Sequence, residues 1–462
     1  MRSVPCTALD LWSPGSIITN GFIIDARLDP KILEQSLWTL VENKFPRAGA
    51  RLARRNGVYE FQIPRTFDAE TPPIAFTVED HPEPYRSATR PELPTNLLDS
   101  QGHIQPSIHP MPGLEVYFRS RKCPTSLDGF LIPNTPLLHV HIAVFDDFTF
   151  IGLTFSHILL DGLGFWTLTY AWTRVLSGDA MDTIPGMAWD AAPFEAFTQP
   201  TAVTTLRGWF EPPRSSQLQR VVDSLMRLLW SPKKATPNAM RMVRVPKVFL
   251  DQSKREINNN LALQGSKEWV ASNDVLMAWW FKTVYGLRSI DEAIPVHIHV
   301  HVDLRDRLFP GSSTLTTPYI HNATWTIPIL VPANAFRTES LAELALRIRR
   351  AIKTYNADLD GIATDLRWIC SNPGKKLVPF SPGTEFTVQS NVLKGRFGEM
   401  DFSGACEGKA RVFFAMPEAS VVGGNGMTGL VFLEDENSVW MRQGARVKDW
   451  ENCRQSGTIT FV

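Results

Sequence analysis

Cysteine is scarce in this chain: there are five in 462 residues. They stand at Cys6, Cys123, Cys370, Cys406 and Cys453, odd in number, scattered and never in a C-x-x-C spacing. That distribution argues against a disulfide framework or a structural zinc site and suits reduced thiols. No neighbouring feature marks any of them as a nucleophile. Net charge is missing too, because 47 basic residues meet 47 acidic ones. A bulk electrostatic partner such as nucleic acid or an anionic membrane is therefore not implied. No apolar run is long enough to span a bilayer, and residues 1–20 lack the basic head and apolar core of a leader. Internal repeats and low-complexity tracts are absent. What remains is a globular, cytoplasmic chain long enough to bury two cores, so two domains are expected.

The informative stretch is Phe155-Ser156-His157-Ile158-Leu159-Leu160-Asp161-Gly162-Leu163-Gly164-Phe165-Trp166. Two strand-like runs, His139 to Phe145 and Thr149 to Phe155, precede it. Apolar residues at helical spacing follow it, from Trp166 to Leu176. His157 thus falls at a strand's end, where a side chain can face a cleft. Gly162 and Gly164 let the backbone turn sharply into the helix. A neutral imidazole there can take a proton from a hydroxyl or amine near neutral pH. A buried histidine bonded to nearby backbone is the plainer alternative, and His157 alone does not decide between them.

Earlier in the chain, an alternating apolar stretch runs from Ile17 to Ile24. A helix is predicted next, with Asp29-Pro30 as cap and first-turn proline and Leu33, Leu37, Leu40 and Val41 on one face. From Pro64 to Pro136, prolines and polar stretches indicate loops with short strands, one of them at Leu114-Glu115-Val116-Tyr117-Phe118. Leu218, Val222, Leu225 and Leu229 predict an amphipathic helix that packs on its own domain, since its polar face is not strongly basic. Ser231 to Pro237 has the composition of a crossover, and a second unit starts near Met242. Ser272-Asn273-Asp274 supplies capping residues for a helix through Phe281. Leu341, Leu344, Ile348 and Ile352 mark another, whose Arg347, Arg349, Arg350 and Lys353 form a solvated face or meet a phosphate. Pro295 to Leu308 alternates as a strand. It puts His297, His299 and His301 on one face, but nothing nearby supplies a further ligand, so no metal is assigned.

The spacing His157-x-x-x-Asp161-Gly162 resembles the HxxxDG motif of the BAHD acyltransferases, within the chloramphenicol-acetyltransferase-like superfamily. Other segments agree in order and separation. Leu9-Asp10 is similar to the family's opening "LD", and Pro46 to Leu52 to its "P-x-x-AGR-L" turn. The Val302 to Leu308 stretch resembles "V-x-x-R-x-R-L", with Arg305 at the first arginine. Tyr319-Ile320-His321-Asn322-Ala323 is similar to "Y-F-G-N-A", with His321 where glycine is usual. Ser390-Asn391-Val392 resembles "[TS]-[SN]-W", and Asp401-Phe402-Ser403-Gly404 resembles "DFGWG". Val392 and Ser403 depart from the pattern, and the tryptophan of "DFGWG" is missing. The departures resemble those of a distant fungal branch that acts in secondary metabolism.

The resemblance implies an α/β fold of two chloramphenicol-acetyltransferase-like domains, with mixed sheets flanked by helices and a channel between them. Residues 1–200 would form the N-terminal domain, 201–240 the crossover and 241–462 the C-terminal domain. It implies an acyl-CoA-dependent O-acyltransferase, most simply an O-acetyltransferase, acting on a hydroxyl of a small, largely apolar natural product. His157 would be the general base. Ser390 and Asn391 would supply oxyanion donors, and Ser272 and Asn273 coenzyme A contacts. Asp161, Gly162, Arg305, Asp401 and Phe402 would be structural. Acyl-CoA enters as co-substrate, with no permanently bound cofactor and no metal, and the chain is expected to be a monomer. The alternative is a superfamily member that does not use coenzyme A: a cyclase or condensation-type enzyme on a carrier-bound chain, or a binding-only protein. Condensation domains usually carry a second histidine before the motif, where this chain has Ser156.

Overall fold

A computed structural model describes residues 1–87, 90–93, 105–199, 202–203, 205–211, 238–290, 294–308, 318–375, 377–381, 383–419 and 427–462. The helix expected around Leu218 to Leu229 and the crossover at 231–237 lie outside the described residues.

The two predicted strands before His157 are β7 (Leu138–Val144) and β8 (Thr149–Ser156), paired antiparallel. β8 is buried along its whole length, as a strand covered on both faces must be. Its other edge pairs with β2 (Ile17–Ile24), the alternating stretch near the start. β5 (Ala75–Asp80) adds in parallel to β7, and β13 (Val412–Ala419) adds antiparallel to β2. The five-stranded sheet therefore runs β13-β2-β8-β7-β5.

The second sheet has eight strands. In space they are β11 (Thr324–Pro332), β10 (Pro295–Asp303), β12 (Glu385–Asn391), β14 (Met427–Glu434), β15 (Ser438–Arg446), β9 (Asn238–Pro246), β6 (Ser107–Pro110) and β16 (Thr460–Phe461). Pairings β10–β12, β12–β14 and β6–β16 are parallel and the others antiparallel. Both large sheets are thus mixed and both carry helices, which makes the chain α/β. Each borrows one strand from the other half of the sequence: β13 completes the first sheet, and β6 lies within the second. A small sheet of β1 (Arg2–Pro5), β4 (Val58–Ile63) and β3 (Arg51–Arg55) stands apart.

The first helix, Pro30–Lys44, starts as its sequence predicts. The Asp29 carboxylate accepts from Lys31 N, Pro30 opens the first turn, and Leu33, Leu37, Leu40 and Val41 are buried. Leu341–Ala357 is likewise helical, with a reciprocal cap between Ser340 and Glu343. The helix Ser272–Tyr285 begins differently from expectation. Its cap position is Ala271, and Asp274 reaches back to accept from Ala271 N at 2.8 Å.

Leu114 to Phe118 is not a strand. Glu115–Phe118 forms one helical turn, seated in a notch made by the paired glycines Gly21 and Gly152. A Cβ on Gly152 would fall 1.7 Å from the Phe118 carbonyl oxygen, and one on Gly21 would fall 2.6 Å from the Phe118 ring. The β-favouring residues are overridden because the turn packs where no side chain stands.

Candidate active site

His157 follows the last residue of β8. Its backbone N donates to the Ser16 carbonyl at 2.8 Å, which ties the turn to the strand β2. The half-buried ring leans on Asn322, whose Oδ1 is 3.0 Å from His157 Nδ1. The Asn322 amide cannot be reversed. Its Nδ2 donates to the His157 carbonyl at 2.8 Å, the Ile158 carbonyl at 3.1 Å and Asp10 Oδ1 at 3.1 Å. Three acceptors around one nitrogen fix it as the donor end, so the oxygen faces the histidine. His157 Nδ1 must then carry a hydrogen, which in the neutral ring leaves the lone pair on Nε2. Asp10 is held in turn by Thr7 N and Thr7 Oγ1, both at 2.8 Å. Burial raises its pKa, and its hydrogen bonds from Asn322 and Thr7 oppose the shift.

Asp161, which also borders the cavity beside His157, makes no hydrogen bond to that ring. Its Oδ1 caps the helix Gly162–Leu176 by accepting from Gly164 N at 2.8 Å, and its Oδ2 accepts from Ala323 N at 2.9 Å. Arg305 Nη2 donates to both oxygens, at 2.9 and 3.0 Å. The same guanidinium binds the Tyr319 carbonyl, the His321 carbonyl and Asp303 Oδ1. Asp161 and Arg305 therefore staple the start of the helix to the segment 319–323, which carries Asn322. The approach is close: a Cβ on Gly164 would lie 1.7 Å from the Ile320 carbonyl oxygen. Gly162 serves a similar purpose against the Val392 side chain, 2.7 Å from where its Cβ would be. His321 is fully buried, with Nδ1 at 2.6 Å from the Leu159 carbonyl, and burial holds its pKa well below the usual histidine range.

A cavity of about 240 Å³ opens beside His157. Its walls come from both large sheets: Ile18, Asn20 and Phe22 on β2, Ser390 on β12, Leu430 on β14 and Arg442 on β15, with Phe165 and Val392 nearby. The lining is mainly apolar with a few polar groups, the usual character of a small-molecule site. Ser390 and Asn391 do not act as a pair on it. Successive residues of a strand point to opposite faces, and only Ser390 lines this cavity. Asn391 turns to a second recess of about 120 Å³, lined also by Ser272, Asn273, Lys247 and Asp251. There Asn391 Nδ2 donates to Asn273 Oδ1 at 2.7 Å, and Lys254 Nζ donates to Ser272 Oγ at 3.0 Å.

Phe402 stands behind the cavity wall, and Asp401 beside it lies at the surface. Phe402 is fully buried, 6.1 Å from the Phe22 ring and 5.6 Å from that of Trp172. Asp401 is exposed and is bound by the Ser403 amide at 2.9 Å and by the Ser403 hydroxyl. Those bonds lower its pKa.

The three histidines of β10 have separate partners. His299 bridges Thr326 Oγ1 and the Pro379 carbonyl, His297 lies by Ser381, and His301 by Ser390. Among the described residues no group of three or more His, Cys, Asp or Glu side chains could hold a metal ion. On the helix Leu341–Ala357 three of the four named cations are engaged: Arg347 with Glu339, Arg350 with Glu268, and Arg349 over the Trp269 ring. All five cysteines are unpaired. Burial pushes the Cys370 thiol up to about 11 and Cys453 up to about 12, which leaves neither reactive.

The resemblance reached the segment holding Asn322 but assigned Asn322 no role, and Asp10 entered only as part of an opening dipeptide. A buried polar residue between two histidine-bearing segments is the signal that points to them, and it is visible only once the fold is formed.

Comparison with known proteins agrees with this architecture. Residues 127–428 match the model of the Transferase family. The chain is 24% identical over 403 residues to Acetyltransferase adrJ of Penicillium roqueforti, covering 85% of this chain and 79% of that protein. It is 26% identical over 482 residues to Acetyltransferase sphE of Aspergillus fumigatus, covering 94% and 90%. Among solved structures, it superposes on TRI101 of F. sporotrichioides, complexed with coenzyme A and T-2, with a TM-score of 0.70 at 13% identity over 99% of this chain and 98% of that one.

Proposed function

The chain belongs to the Transferase family, and on that premise we propose that it transfers an acyl group from coenzyme A to a hydroxyl of a small, largely apolar molecule, with neutral His157 as general base. The observation that carries this is the amide of Asn322, which puts the hydrogen of a neutral His157 ring on Nδ1 and so the lone pair on Nε2.

In the proposed reaction, Nε2 takes the proton of the acceptor hydroxyl as its oxygen attacks the thioester carbonyl. The imidazolium so formed keeps its Nδ1–H on Asn322, with the Asp10 carboxyl behind it. Ser390 is the candidate donor to the developing oxyanion. Removing one such donor costs about 3–4 kcal/mol of transition-state stabilisation. Collapse breaks the carbon–sulfur bond, and the coenzyme A thiolate takes the proton back from the imidazolium. No covalent acyl-enzyme is needed.

Asp161 and Arg305 are assigned to bracing, as are Gly162, Asp401 and Phe402. Ser272, held by Lys254, and Asn273, held by Asn391, are assigned to coenzyme A, and the second recess supports that choice. Acetyl is the favoured acyl group because the fungal relatives are named acetyltransferases. TRI101 was solved in complex with coenzyme A and T-2, which supports a site here that holds coenzyme A together with a second molecule. The domain limits 1–200 and 241–462, the monomeric state and a cytoplasmic location complete the proposal.

The test is incubation with acetyl-CoA and a panel of hydroxylated apolar compounds, following thiol release and product mass. The expected result is transfer by the natural chain and none by folded His157→Ala. Turnover retained by that variant would remove the base assignment. Acetyl-CoA binding without transfer to any alcohol would favour the carrier-bound alternative.

A further inference from the structure

The stretch of β2 that walls the cavity beside His157 carries one polar side chain, Asn20, between Ile18 and Phe22. Thr19 and Gly21 look the other way: the Thr19 hydroxyl lies 2.9 Å from that of Thr154, and the Phe118 ring covers Gly21. By strand alternation Ile18, Asn20 and Phe22 share the opposite face, the one turned to the cavity. Among the described residues the Asn20 side chain has no hydrogen-bond partner, and it is only half-buried. Asparagine is a poor strand former, and no contact of the fold uses this amide.

Its distance from the base matters. The His157 backbone N is bound to the Ser16 carbonyl, and Asn20 follows Ser16 by four residues. At the rise of an extended strand, that places Asn20 on the order of 13 Å along β2 from the histidine. Pro417 on β13 is the cross-strand partner of Asn20, and its carbonyl accepts from Arg442 Nη1 at 3.0 Å. Arg442 lines the same cavity, so a guanidinium stands at the end where the amide stands. The space therefore has the imidazole at one end, polar donors at the other and apolar walls between. The coenzyme A contacts assigned above belong to the recess of Asn391, on the other face of β12, which leaves this space to the acceptor. A wholly apolar acceptor would strip water from the Asn20 amide and return no hydrogen bond, whereas one carrying an oxygen there would replace it.

Resting on the transfer reaction above, we propose that Asn20 determines acceptor specificity: its amide binds a second oxygen function, hydroxyl or carbonyl, about 10 Å from the hydroxyl that is acylated. The acceptor class is an elongated apolar alcohol with two well-separated oxygens. An alcohol that lacks the distant oxygen is discriminated against by the amide it leaves unpaired.

The test uses n-octanol and its α,ω-diol, whose oxygens can span the distance, with n-butanol and its α,ω-diol, whose oxygens cannot. Thiol release from acetyl-CoA gives KM for each alcohol, and the rise in melting temperature with each alcohol gives binding without turnover. In the natural chain the octane diol should have a KM about 3–10-fold below that of octanol, the worth of one hydrogen bond and more than the doubling its second reactive end supplies. The butane pair should show only that doubling. Asn20→Leu, close in size but without the amide, should bring the two octane values together, and Asn20→Ala serves the same comparison should leucine crowd the cavity. Equal values for octanol and its diol in the natural chain, a preference that survives in the Asn20 variants, or binding of neither alcohol would each overturn the proposal. His157→Ala separates the two ideas: it should keep the preference in the melting series while transferring nothing. Transfer by that variant sinks the base assignment and leaves the Asn20 preference standing.

Discussion

Asp161→Ala separates a brace from a catalytic partner. The carboxylate is 2% exposed and accepts four hydrogen bonds, from Gly164 N, Ala323 N and two from Arg305 Nη2. None comes from His157. Removing one side of a buried ion pair costs about 3–5 kcal/mol. Arg305 would still have Asp303 and two carbonyls, which favours the lower figure, while the lost helix cap adds about 1 kcal/mol. The unfolding entropy, about 2.1 cal/mol/K per residue, makes 1 kcal/mol worth about 1 °C in a chain of 462 residues. Thermal melts should therefore fall by roughly 3–6 °C. Turnover per folded molecule should fall far less than in His157→Ala, because Asn322 and not Asp161 sets the histidine tautomer. The double change Asp161→Ala/Arg305→Met should melt higher than the two single effects add up to, since no unpaired charge remains. A variant that keeps its melting temperature within about 1 °C but loses activity as completely as His157→Ala would refute this reasoning and return the carboxylate to the chemistry.

Two further outcomes follow from buried polar groups. Asn322→Ala removes the acceptor for His157 Nδ1–H, so the ring loses its enforced tautomer. We expect kcat to drop about 10²–10⁴-fold with KM for acetyl-CoA little changed, read by the same thiol assay; a variant within threefold of the natural chain would contradict the role. Acid should also destabilise the fold from the neutral side. Burial lowers the pKa of His109 and His299 to about 4, with Arg244 adding to the shift at His109. Between pH 6.5 and 4 the unfolded chain binds protons that the native state refuses, so stability present above pH 6.5 is lost as pH falls. At pH 5 each of the two costs about 2 kcal/mol. Chemical denaturation at pH 7 and pH 5 checks this, and equal midpoints would rule it out.

Much of the local structure was legible before the fold. β7, β8, the Asp29 cap and the helix after Gly162 all rest on short-range periodicity and turn chemistry, which a sequence states openly. Leu114 to Phe118 went wrong because Gly21 and Gly152, far from it in sequence, open the notch that accepts a helical turn. The Asn322 link to His157 spans 165 residues and the link to Asp10 spans 312, and no local pattern encodes such partners. Ser390 and Asn391 were matched as a motif, yet a strand's alternation sends them to different recesses.

The exchange of β6 and β13 between sheets has a consequence for how the chain is made. On the ribosome, β2 emerges early and its outer edge waits for β13, nearly four hundred residues later. At roughly 5–20 residues per second the wait is on the order of half a minute. Throughout that interval an apolar strand edge is open to pairing with another nascent chain. Heterologous expression should therefore respond to translation speed and to chaperone supply, and a gene cut between its two halves should give fragments that are recovered only when made together.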